Sequence, residues 1–238
     1  MGITDIISDA ITYPFSDIKK FLIVGVLFLL AGLYSLFPPL GIDSFVLSAI
    51  AVILAIVFTI MLSGYSVQVI KKGIQHSSEI PDIDPAANFI DGIKAFIIEL
   101  VYYIIPIIIA IVLGAFTGLV GAGLNHAGAG LGVGSILALI VFIIFAILEI
   151  VAIARFADTG DMSAAFNFGA VFEDAKRIGF LNIILFLIIA IIIALVLTMV
   201  LSLLAVIPFI GIIISTILIG GILILFINKG IGLLYAGA

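Results

Sequence analysis

Apolar residues run along this chain in six long blocks, at residues 21–37, 45–64, 96–120, 135–154, 178–207 and 211–227. A run of roughly 20 apolar residues is what an α-helix needs to cross a bilayer, and a helix satisfies its backbone polar groups within itself. From Ile178 to Ile207 there is no charged residue at all. The pattern predicts an all-α fold: a polytopic integral membrane helix bundle with about six transmembrane helices paired as three hairpins. The first block is near the shortest length that can cross, and the fifth is long enough to tilt or protrude.

Ahead of the first, third and fifth blocks the period changes to that of amphipathic helices. Ile3, Ile6, Ile7, Ala10 and Ile11 share one face, opposite Asp5 and Asp9. Asp84-Pro85 reads as an N-cap followed by N1, opening a helix with Ala86, Phe89, Ile90 and Ile93 on its apolar side. Ser163 is a candidate cap for a third, with Ala165, Phe168, Phe172 and Ala175 in one stripe. These feet are expected at the membrane interface, packed under the bundle or against a partner. They also resemble one another: Phe15-x-Asp17-x-Lys19-x-Phe21, Phe89-x-Asp91-x-x-Lys94-x-Phe96 and Phe172-x-Asp174-x-Lys176-x-x-x-Phe180. Residues 1–238 then read as one transmembrane domain of three repeat-like units, about 1–70, 80–155 and 160–230. The competing reading is that every hairpin simply needs an interfacial anchor.

Charge orients the hairpins. The loops at 38–44 and 121–134 and the turn at Pro208 contain no Lys or Arg. All nine bases (Lys19, Lys20, Lys71, Lys72, Lys94, Arg155, Lys176, Arg177 and Lys229) fall on the opposite side. By the positive-inside rule that side is cytoplasmic, which places both termini there, in a multi-pass protein of the cell membrane. Composition agrees: 65% of residues are hydrophobic, 10% are charged and mean hydropathy is +1.55, whereas a soluble domain carries roughly 25% charged residues. Asp5, Asp9 and Asp17 with no small-residue cleavage site argue for an uncleaved first anchor. The absence of Cys excludes disulfides and thiolate metal sites. A net charge of −5 with scattered bases gives no footprint for nucleic acid.

Within the blocks, small residues recur four apart. Such rows are Ala51, Ala55, Thr59 and Ser63; Ala110, Gly114, Gly118 and Ala122; and Ala190, Ala194, Thr198 and Ser202. Rows like these let helix backbones approach closely in lipid. The third block's row is the expected packing ridge, and Pro106 in the same block is an expected kink. Two acids stand inside apolar runs, Glu99 and Glu149, and a carboxylate at depth is a functional candidate by default. Both are shallow enough to reach interfacial water or a base such as Lys94 or Arg155. Arg155, however, is over 90° around the helix from Glu149. Asn125 and His126 lie in the glycine-rich loop 121–134, which has no Lys and follows no strand, so it is no phosphate cradle. His76 and His126 fall on opposite sides, and no nucleophile motif or catalytic carboxylate pair occurs. No cofactor and no enzyme activity are expected.

Several segments together resemble the mainly archaeal membrane-protein family called domain of unknown function 4013. They are Tyr13-Pro14-Phe15 with Asp17 and two lysines, Gly64-Tyr65 leading to Lys71-Lys72-Gly73, and Pro81-Asp82 followed by Asp91-Gly92-x-Lys94-Ala95. Arg155-Phe156-Ala157 followed by Ala164-Ala165-Phe166-Asn167-Phe168-Gly169 completes the set. Glu173-Asp174 is more acidic than that pattern. The resemblance implies a multi-span membrane protein and supplies no catalytic residues. Two functional classes fit: a non-enzymatic structural or assembly protein packing with copies of itself or a larger membrane complex, and a transporter or channel for a small or weakly charged solute. Few charges are available to line a path, which favours the first.

Overall fold

The computed structural model describes residues 2–38, 41–123, 127–207 and 209–237, and no side chains at 118–133 or at 205. Its elements are α1 (Ile3–Thr12), a 3-10 turn (Tyr13–Ser16), α2 (Ile18–Ala31), a 3-10 turn (Leu33–Leu36), α3 (Phe45–Ile74), α4 (Pro85–Gly123) and α5 (Ala127–Thr159). They continue with α6 (Met162–Ala165), α7 (Phe168–Ile178), α8 (Phe180–Ser202), a 3-10 turn (Leu203–Val206) and α9 (Ile210–Ala236). The fold is an all-α bundle of a membrane protein.

Among the described residues five helices, α3, α4, α5, α8 and α9, are long and apolar enough to cross a membrane, against the six expected. The first predicted span is the exception. α2 has 14 residues, about 21 Å of helix, against a hydrocarbon core of roughly 30 Å. Gly32 stops it, leaving the helical region and turning its N–H back to the carbonyls of Phe28 and Leu30, after which the chain tightens into a 3-10 turn. Other helices outrun their apolar blocks: α3 continues past Gly64 to Ile74, and α4 begins at Pro85. Pro106 lies inside α4, which continues beyond it.

The feet differ from one another. α1 packs across the ends of α8 and α9 with Ile6 and Ala10 buried and Asp5 and Asp9 exposed. The second foot is no separate helix but the first turns of α4. Asp84 caps it, accepting from the N–H groups of Ala86 and Ala87 at 3.1 Å. Its expected apolar face is reversed: Ala86, Ile90 and Ile93 are exposed and Phe89 half-buried, while Asn88, Gly92 and Ala95 face inward. In the third, Ser163 is not the cap. Asp161 caps α6, Asn167 caps α7, and α7 buries Val171, Asp174, Ala175 and Ile178 rather than Phe168 and Phe172. Gly179, at φ 90°, makes the left-handed break that separates α7 from α8.

Burial is concentrated at one end. Buried positions cluster within residues 61–73, 88–102, 147–157 and 225–235, whereas Phe45 is 89% exposed, Phe116 64% and Val206 84% at the far end. Glycine sets the contacts of the packed end. A Cβ on Gly64 would run into the Asn88 carbonyl and the Gly92 nitrogen, and one on Gly92 into the Ile60 carbonyl, so α3 and α4 meet backbone to backbone. Gly73 and Gly232 do the same for α3 and α9. Gly220, Gly221 and Gly230 of α9 receive the rings of Phe28, Phe21 and Phe186.

The expected ridge on α4 is corrected in part. Gly114 is half-exposed, and a Cβ there would meet nothing within 4 Å. The α4–α5 approach at this level is set by Gly134, whose Cβ would strike the Thr117 hydroxyl. Ala110 is half-exposed, and the side-chain positions of Gly118 and Ala122 lie outside the described residues, as do Asn125 and His126. Gly64→Leu and Gly73→Leu should therefore lower detergent unfolding stability by about 3 kcal/mol, the upper range for overpacking. Gly114→Leu should leave it within about 0.5 kcal/mol, the range of an open site. A loss at Gly114 equal to that at Gly64 would place α4 in the wrong rotation.

Candidate functional site

Glu99 on α4 and Glu149 on α5 come from the two helices that pack most extensively on each other, and each side chain is half-buried. Both lie on helices long and apolar enough to cross a membrane. Neither carboxylate makes a hydrogen bond or ion pair among the described residues. The expected basic partners are taken elsewhere. Lys94 pairs with Asp91 at 3.0 Å and Arg155 with Asp174 at 2.6 Å. The two acids thus lie on packed helices with neither base paired to them.

Tyr102, buried beneath this pair, donates its hydroxyl proton to the Ala165 carbonyl at 2.8 Å and lies against Phe145 and Phe168. That bond fixes α6 under α4. Beside it stands a polar cluster that joins three helices. Asp174 on α7 accepts from Arg155 of α5 and, at 3.0 Å, from the Tyr235 hydroxyl of α9, with Arg177 at 3.3 Å on its other oxygen. Asp174 is among the few buried charged residues, so its three donors offset its desolvation. Sequence reasoning placed Asp174 in a foot motif without seeing this role. The available signal was an acid between Val171 and Ala175 on an otherwise apolar stripe.

A third set of contacts pins the connection 75–84. Tyr13 and Tyr65 donate to the carbonyls of Glu79 and Pro81, and Lys20 donates to the Ile80 carbonyl while pairing with Asp82 at 2.8 Å. Burial pushes the Tyr13 phenol above its ordinary pKa, with Glu79 adding to the effect. The Lys20 hydrogen bond holds the exposed Asp82 carboxyl below the ordinary carboxylate range. These links gather the feet and the basic residues at one end of the bundle. Among the described residues, no three His, Asp or Glu side chains come together as a metal-ligand set.

A family model described as "Protein of unknown function (DUF4013)" matches residues 47–206, more than half of the chain. The chain belongs to this family. The DUF4013 match runs from α3 to the turn after α8, so the carboxylate pair, Arg155 and Asp174 lie within it, while Tyr13-Pro14-Phe15, α2 and α9 lie outside. No curated protein and no solved structure matches the chain.

Asp174→Asn should destabilise the protein by about 3 kcal/mol, because it strands a partly buried guanidinium. Glu149→Gln should be neutral or stabilising by about 1 kcal/mol, since it removes a charge with no partner. Unfolding in detergent compares the two, and a larger loss at Glu149 than at Asp174 would reverse the assignment of structural and non-structural acids.

Proposed function

We propose that this DUF4013 protein is a non-enzymatic multi-pass protein of the cell membrane that works by packing against further copies of itself or a larger membrane complex, with its basic end and both termini in the cytoplasm and the short α2 with its following 3-10 turn making a sixth crossing. The observation that supports this most is the unused surface of the far half. In two of the small-residue rows Ala51 and Ala190 are buried, whereas Ala55, Thr59, Ser63 and Ala194, Thr198, Ser202 are half-exposed or exposed, so the chain's own helices leave most of each row open. Beside the first row is a groove of about 350 Å³ between α2, α3 and α9, bordered by Phe28, Gly32, Thr59 and Ser66. Close-approach surfaces of this kind drive helix association in lipid, where apolar burial does not.

The native chain has no Cys, so a single Cys at Thr59 or Thr198 reports contacts between copies. Oxidation in membranes should yield disulfide dimers at one of these sites and none at Phe45, the exposed tip of α3. Equal yields at all three, or none anywhere, would count against self-association. The expected loop 121–134 is largely helical, since α4 runs to Gly123 and α5 starts at Ala127; reporter fusions between these two helices and at either terminus should read opposite sides of the membrane, and the same side would overturn the orientation.

The carboxylate pair favours a second reading, a transporter or channel for a small or weakly charged solute. Repulsion between neighbouring carboxylates is relieved when one binds a proton or when a cation lies between them. Under this reading Glu149→Gln abolishes proton- or cation-coupled flux in reconstituted vesicles while the fold survives. Flux that is absent in the parent protein as well leaves the assembly reading standing.

A further inference from the structure

Lys229 is only 4% exposed, yet it forms no ion pair among the described residues. Its ammonium donates to the Ser77 carbonyl at 2.7 Å and stands 4.9 Å over the Tyr13 ring. An ammonium carries three N–H donors, so two are left over, and a buried cation without an anion is strongly unfavourable. Lys229 borders a cavity of about 370 Å³ between α1, the end of α3 and α9, whose wall includes Asp9, Tyr13, Ser16, His76 and Ser78. The side chains of His76 and Ser78 make no hydrogen bond among the described residues.

His76 also holds an unusual backbone position. α3 ends with the Ser77 N–H on the Lys72 carbonyl and the His76 N–H on the Gly73 carbonyl, which makes His76 the left-handed residue of the helix stop, at φ 52°. Glycine normally fills that place because a Cβ is strained there. Here the strained position instead carries an imidazole that lines the cavity.

We propose that this cavity is an oxyanion site that takes a phosphate group, with the Lys229 ammonium as its charge and His76 and Ser78 as further donors. The phosphate belongs either to a lipid headgroup or to a free anion. Asp9 opposes it from the wall, and its exposed carboxylate keeps water as a partner.

The test uses the full-length protein, delipidated in detergent. Inorganic phosphate is titrated by calorimetry, and phosphatidylglycerol, with a phosphate-free glycolipid as control, is followed by native mass spectrometry. At least one phosphate carrier should bind saturably. Lys229→Met should weaken it about tenfold or more, the order of a lost charged hydrogen bond, and Asp9→Asn should tighten it. His76→Gly should weaken binding while raising the melting temperature, because it removes the donor and the strain together, and it serves as the decisive variant where Lys229→Met folds poorly. Phosphate binding alone identifies a free-anion site, and phospholipid binding above the glycolipid control identifies a headgroup site. Either supports the proposal. No saturable binding of either carrier, or a His76→Gly affinity equal to the parent's, overturns it.

Discussion

Two helices in lipid gain little by turning leucine towards leucine, because acyl chains are as apolar as the side chains they replace. What remains is close van der Waals contact, and that requires backbones to approach. In this protein the approach is made by a few glycines at one end: Gly64 with Gly92, Gly73 with Gly232, and Gly25 against the Ile217 carbonyl. They bring α3, α4, α9 and α2 together. The buried segments of these helices follow from that placement, and the far half, where Gly134 against Thr117 is the close approach between α4 and α5, is more exposed.

The same end carries the polar ties, and the two facts are linked. Near an interface an ionic or hydrogen-bonded cross-link can form without the full desolvation cost that the bilayer centre would impose. Asp174 joins α5, α7 and α9, and Tyr102 joins α4 to α6. The three aspartates of the look-alike feet show how one motif divides its labour. Asp17 caps α2 by accepting from the Lys20 N–H; Asp91 binds Lys94 and, across helices, Gln68; Asp174 holds two arginines and a tyrosine.

The location of most spans, the helix starts at Asp84-Pro85 and the buried side of α1 around Ile6 and Ala10 were legible in the sequence, because length and capping act locally. The faces of the other helices were not. Reading apolar as inward holds for water, but in lipid it inverts. On α4 the stripe with Ile90 and Ile93 looks outward, and the inward one is Asn88, Gly92 and Ala95. Small size, not hydrophobicity, marked the contact. The partners of the acids were hidden for a different reason. Arg155 meets Asp174 only because the break at Gly179 and the Tyr102 bond fold α7 back under α5, which no spacing along the chain records. The row through Gly114 had the right residue types, but its rotation depends on where α5 lies.

The arrest of α2 at Gly32 bears on the bilayer itself. A helix of about 21 Å beside α3 and α9, which are long enough to span fully, presents one flank of the protein that is short for a roughly 30 Å membrane. Such hydrophobic mismatch is met by thinning of the adjoining lipid or by entry of headgroups and water above the short element, at a fraction of a kcal/mol per Å. The hydroxyls of Thr59, Ser63 and Ser66 line the groove that opens beside Gly32, so water drawn in there finds hydrogen-bonding partners. A membrane of less than average thickness would lower that cost on the α2 flank.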